Sequence, residues 1–342
     1  MKEILDGPGI PSILPRTSAS SWFKPLTSRV DFDVPKRWLQ LCSSLHKCHR
    51  LIEEVGPSRL IDCNARVIIP TGQTANSAYV TLSYVWGSSA KDDTASIPAL
   101  ETTSWILPEE LPKTIEDAIT VTQELGYRYL WVDKYCIDQS RSEDFISQVQ
   151  QMDLIYRNSV LTIIDAAGHD PFKGLPGVRP DSRSPIQPSV SVGDYELYST
   201  MHRPEWDIKT SRWSTRAWTY QEGLLSRRRL IFTAQQMYFE CQGVYCKEAL
   251  DFPTDGLQEL HLDSPKKGHS LHEDFRRANG MGVFPFRLIG ANVWEIYARM
   301  TEYSGRSLTR DDDILNGILG LFRYTGRTRY PIINLWGLPY RL

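Results

Sequence analysis

The stretch "LPKTIEDAITVTQELGYRYLWVD", residues 111–133, decides the fold class. Ile115, Ala118, Ile119, Thr122 and Leu125 recur at the spacing of one helix face. Pro112 suits the first helical turn and Gly126 the left-handed stop. The chain then runs at once into "YLWVD" (129–133), an apolar run of the kind buried on both faces of a parallel sheet. A helix feeding such a strand is half of a β–α–β unit. Upstream, "YVTLSYVWG" (79–87) is β-branched and aromatic and ends on a glycine, so it supplies the preceding strand. Downstream, "VLTIIDA" (160–166) supplies the next. A helix carrying Phe145, Val149, Met152 and Tyr156 lies between them, and Ser140 with Glu143 forms a candidate capping box.

Strand–helix–strand–helix–strand predicts an α/β fold: a mostly parallel sheet with flanking helices. Ligands of such sheets bind beyond the carboxyl ends of the strands. That rule selects Ser83, Tyr84, Trp86, Asp133, Tyr135, Asp138 and Asp165 as candidate site residues. The flanks read more simply. "RWLQLCSSLHKCHRLIEE" is an amphipathic helix, "RLIDC" and "ARVIIP" are short strands, and residues 168–185 form a Gly- and Pro-rich loop. "WSTRAWTYQEGLLS" is a short helix, "SRRRL" (226–230) a solvated helix end, and "RLIFTAQQMYFEC" (229–241) a β-hairpin. "VWEIYARMTEYSGRSLT" and "RDDDILNGILGLFR" are two closing helices. The expected organisation is a loose arm over 1–36, a main domain over 37–250 with its core at 79–226, and a mixed, mainly helical extension over 251–342.

Composition excludes several classes. The 342 residues carry a formal net charge of −2, so no bulk field recruits nucleic acid or an anionic membrane. No apolar run approaches the ~20 residues that span a bilayer, and "MKEILDGPGIPSILP" lacks the apolar stretch of a secretory leader. A cytoplasmic protein with reduced thiols is expected from six scattered cysteines. Cys42, His46, Cys48 and His49 raise the question of zinc, but no standard pair of ligand spacings is present, and buried thiols on a helix are the simpler reading. Walker, dinucleotide, G-x-S-x-G and H-E-x-x-H signatures are absent.

The motifs "RWLQLCSSLHKC", "RLIDC", "YVTLSYVWG", "LPKTIEDAITVTQELGYRYLWVDKYCIDQ", "QMDLIYRNSVLTIIDAA" and "RAWTYQEGLLSRRRLIF", in this order, closely resemble the fungal heterokaryon-incompatibility (HET) domain. "LTRDDDILNGILGLF" and "WGLP" resemble the region that commonly follows it. Val85 departs from the family, which usually shows cysteine there, and the sequence ends almost directly after "WGLP". The resemblance implies a role in fungal non-self recognition and programmed cell death. HET domains are in turn remotely similar to Toll/interleukin-receptor (TIR) domains, which implies a flavodoxin-like sheet.

Many TIR domains hydrolyse NAD with a glutamate in a W-x-x-x-E-like signature. "WTYQE" sets Glu222 one helical turn after Trp218, on the same face. The analogy makes Glu222 the catalytic candidate, NAD the substrate with no further cofactor, and Arg216 and Trp218 substrate contacts. Read from the residues alone, Glu222 is equally a solvent-facing helix residue paired with Arg227 or Arg228. Two other functions stay open. One is a self-associating signalling module with a protein partner and no catalysis. The other is a metal-dependent hydrolase using Asp133 and Asp138.

Overall fold

A computed structural model describes residues 12–15, 24–45, 48, 55–73, 77–87, 105–139, 143–183, 187–199, 201, 203–250, 282–284, 293–327 and 331–341. The first half of the chain contains β1 (Ser12–Pro15), α1 (Asp33–Leu45), β2 (Arg59–Asp62), β3 (Val67–Pro70), β4 (Tyr79–Ser83), β5 (Trp105–Ile106) and α2 (Lys113–Glu124). Next come β6 (Tyr129–Trp131), α3 (Asp133–Cys136), α4 (Glu143–Gln150), α5 (Met152–Asn158) and β7 (Leu161–Asp165). A hairpin, β8 (Ser189–Val192) and β9 (Tyr195–Tyr198), precedes the short helices α6 (Pro204–Thr210), α7 (Arg212–Thr215) and α8 (Thr219–Leu225). Then follow β10 (Arg228–Phe232), β11 (Met237–Cys241) and β12 (Tyr245–Lys247). The C-terminal part holds α9 (Val293–Ser304), α10 (Asn316–Gly326), β13 (Ile332–Leu335) and β14 (Leu338–Arg341).

The expected α/β architecture is present. One nine-stranded sheet runs β12-β11-β10-β7-β4-β6-β2-β3-β5. Its four central strands, β10, β7, β4 and β6, are mutually parallel, and pairing turns antiparallel toward both edges. The α2 helix ends as its sequence dictates: Leu125 caps it and Gly126 takes φ +83°, a left-handed conformation that residues with a Cβ rarely adopt. Within the stretch expected to be a loose arm, β1 pairs with β9 and α1 begins at Asp33. Ser140, half of the expected capping box, lies outside the described residues, as do residues 251–281.

Period-two alternation sorts the sheet into two faces. Val80, Leu82, Leu130, Leu161, Ile163, Leu230, Phe232, Met237 and Phe239 join the main core with α1 and α2. Ile164, Ile231 and Tyr238 belong to a second core with Ile208 of α6 and Trp213 of α7. At the sheet centre this second face is polar: Thr81, Thr162, Ser159 and Ser226 share a buried hydroxyl network. Helix α8 lies across that polar patch. Its outward face, Tyr220 and Leu224, is covered by Ile296 and Tyr303 of α9, Ile318, Leu321 and Phe322 of α10, and Ile332. Each such apolar side chain contributes about 1.5–3 kcal/mol when fully buried.

The basic run 226–230 corrects the sequence expectation. Arg228 and Arg229 are not at a solvated helix end; they open β10, and Arg227, Arg228 and Arg229 are all buried. Burial is affordable because partners wait: Arg227 Nε donates to Arg157 O at 2.7 Å, and Arg229 Nη2 donates to Leu224 O at 3.0 Å. Across the strand pair, Arg229 stands opposite buried Glu240, whose charge favours the guanidinium.

Candidate functional site

Glu222 is the fourth residue of α8 and only 5% exposed, because α8 is pressed between the sheet and the C-terminal helices. Its pairing with Arg227 or Arg228, open on sequence grounds, does not occur. Ser83, the last residue of β4, donates its hydroxyl to Glu222 Oε2 at 2.5 Å. The Ser83 hydroxyl in turn accepts from Trp213 Nε1 at 2.7 Å, which fixes its proton toward the carboxylate. Tyr156 of α5 donates its hydroxyl to Leu82 O at 3.1 Å, its ring stands edge-on to Trp131, and it favours the ionised form of Glu222. Burial raises the Glu222 carboxyl above the ordinary range, while Ser83, Arg216, Tyr156 and Arg306 pull toward the ionised form.

Asp133 begins α3, directly after β6, at the carboxyl edge of the parallel sheet. It is partly exposed. Trp86 Nε1 donates to both carboxylate oxygens, at 3.1 and 3.0 Å, and the Lys134 amide donates to Oδ1 at 2.8 Å. Burial first, and then the charge of Glu222, push its pKa up to about 7. Asp133 and Glu222 therefore belong to one electrostatic site. Ionised Glu222 disfavours a second charge on Asp133, so the two groups favour different protonation states, as an acid–base pair requires.

Around this pair the structure gathers most of the sequence candidates. Arg216 Nη1 donates to Tyr84 O at 2.9 Å, which anchors the guanidinium at the end of β4, and its charge acts on both carboxyls. Trp86, Arg216 and Trp218 are partly exposed, while Ser83 and Tyr84 are buried. Tyr135 of α3 and Asp138 just after that helix are buried. Among the described residues no group of three or more metal-ligating side chains includes Asp133 or Asp138. Asp165 has another job: Oδ1 accepts from the amides of Ala167 and Gly168, which builds the loop after β7.

Three contributors escaped the sequence. Tyr156 looked like one more apolar-face residue of its helix, Trp213 like helix filler, and Arg306 like part of a closing segment. Arg306 arrives from beyond α9, lies over the Tyr220 ring at 4.5 Å, and donates to Arg216 O at 3.2 Å. Backbone pairing of Ala217 and Thr215 with Ser307 holds it there. Only the fold brings these residues together; no local spacing signals them.

Comparison with known proteins bears on this region. Residues 79–222, from the first central strand to Glu222, match the family model "Heterokaryon incompatibility protein (HET)". Over 94 residues the chain is 29% identical to heterokaryon incompatibility protein 6, OR allele, of Neurospora crassa; the match covers 25% of this chain and 14% of that protein. The chain thus spans a small part of that relative's length. No solved structure matches.

Proposed function

We propose that this chain, which carries a heterokaryon-incompatibility domain over residues 79–222, is an incompatibility effector that depletes NAD through Glu222. The observation that carries the reading is the buried Glu222 carboxyl, held by Ser83 and electrostatically coupled to Asp133 at the carboxyl edge of the parallel strands. Cleaving the bond between nicotinamide and ribose develops positive charge on the sugar, as in glycoside hydrolysis. Ionised Glu222 stabilises that charge, and its fixed hydrogen bonds hold it without reorganisation. Asp133 takes the proton of the attacking water, so the products are nicotinamide, ADP-ribose and a proton. Arg216 meets the pyrophosphate, and Trp86 and Trp218 offer their faces to the rings. NAD is the substrate, and no other cofactor takes part.

The test is expression in yeast with growth and cellular NAD followed together. NAD should fall before growth stops, and Glu222→Gln should abolish both effects at equal protein level. Growth arrest at unchanged NAD, or full NAD loss with Glu222→Gln, contradicts the enzymatic reading.

A second reading, a self-associating module, draws on a different observation. Trp336 (86%), Trp294 (79%) and Leu338 (70%) are largely exposed on the β13–β14 turn and the start of α9, and Gly337 sits against Leu315. Apolar surface of this kind suits a protein partner or a second copy. Among the described residues no helix is long and apolar enough to cross a membrane.

A further inference from the structure

A second cluster lies on the opposite face of the sheet. Cys42 of α1, Cys48 beyond that helix and Cys241 at the end of β11 bring three sulfurs within 4.8 Å of one another, and all three residues are buried. The convergence follows from the fold. The β10–β11 register sets Arg228 opposite Cys241, and α1 crosses over that pair. Among the described residues this is the one group of His, Cys, Asp or Glu ligand atoms close enough together to hold a metal.

The surroundings are those of thiolates. Arg228 Nε donates to Cys42 Sγ at 3.2 Å, and its Nη2 is steadied by Ser43 Oγ at 2.7 Å. The amides of Gly243 and Val244 both donate to Cys241 Sγ at 3.3 Å. The charge of Arg227 acts on Cys48. Donors to sulfur and a buried cation are the second shell that thiolate–metal centres use. A metal ion binds such sulfurs as thiolates and displaces their protons.

Size and charge also fit. A zinc–sulfur bond of about 2.3 Å sets tetrahedral sulfurs about 3.8 Å apart, a small contraction from the observed spacing. Three thiolates around a divalent ion leave one negative charge, and Arg228 neutralises it in place. We propose that Cys42, Cys48 and Cys241 hold a single thiophilic d10 cation, Zn²⁺ or Cu⁺, that staples α1 to the edge of the sheet. Soft sulfur ligands select these two ions.

The test uses the full chain purified under reducing conditions. Elemental analysis should find one zinc or copper per chain, with a Cu⁺-specific chelator removing the ion only in the copper case. Cadmium should displace it and give the near-ultraviolet thiolate charge-transfer band. Cys42→Ser and Cys241→Ser should abolish that band, whereas Cys63→Ser, a buried thiol elsewhere, should keep it. Should the cluster variants fail to fold, X-ray absorption on the wild-type metal gives the same answer, with sulfur neighbours at about 2.3 Å. Metal-free protein that gives no cadmium band overturns the site. So do a band indifferent to Cys42→Ser and Cys241→Ser, and a disulfide within the cluster.

Discussion

At the scale of single residues, several buried carboxyls, Asp133 and Glu222 among them, set how the protein responds to pH. Asp133 rises to about 7 and Asp165 to about 6, both because burial penalises their charged forms, and Glu222 rises in the same direction. A carboxyl raised by folding binds its proton more tightly in the native state. Native protein then holds more protons than unfolded protein between about pH 4 and 7, so stability falls as pH rises through that window. Asp31 and Asp62, lowered by Lys24 and by Arg128, act oppositely but below it. The urea midpoint should therefore be higher at pH 5.5 than at pH 7.5, and Asp133→Asn should flatten the difference. A midpoint that climbs with pH across this range would refute the burial argument. These two residues were unequally legible in the sequence. Asp133 followed from the rule about carboxyl ends of strands. Glu222 had a position but no environment, because its burial depends on helices far downstream.

At the scale of elements, periodicity carried what it could. The α2 helix, β4, β6 and β7 are each decided by local pattern and stop signals, and all four are where the sequence put them. The β10 strand was misread at its start because three consecutive arginines look solvated. Their partners are Glu240 across the hairpin, carbonyls of α8 and α5, and Cys42 on α1, none visible locally. Arg229→Ala should leave the carbonyls of Gly223, Leu224 and Ser226 without their buried donor and cost about 1–3 kcal/mol in chemical denaturation, the scale for unsatisfied buried groups. A loss under about 1 kcal/mol, below that scale, would mean that these bonds are not held. Helix α8 is equally constrained. A Cβ on Gly223 would stand 2.7 Å from the rings of Trp213 and Phe284. Gly223→Ala should therefore cost about 1–3 kcal/mol by overpacking and disturb the Trp213–Ser83–Glu222 chain beside it. An unshifted midpoint would show that α8 has room to move.

At the scale of the whole molecule, the C-terminal region is part of the site's construction. The α9 and α10 helices cover the outward face of α8, and Arg306 reaches Arg216 beside the two carboxyls. A chain ending at residue 250 should expose Tyr220 and Leu224, aggregate or melt well below the full chain, and lose any activity that needs Glu222. A truncated chain as stable as the full one would contradict this packing. Long-range cover of this kind is what sequence patterns do not carry: the closing helices were legible as helices, but not what they close upon. The central claim is chemical, and purified full chain incubated with NAD tests it most directly, by chromatographic measurement of nicotinamide. The account predicts that the folded wild type releases nicotinamide and ADP-ribose in equal amounts, and that Glu222→Gln, with an unchanged melting profile, releases none. No nicotinamide from the folded wild type, or undiminished release by Glu222→Gln, would contradict it.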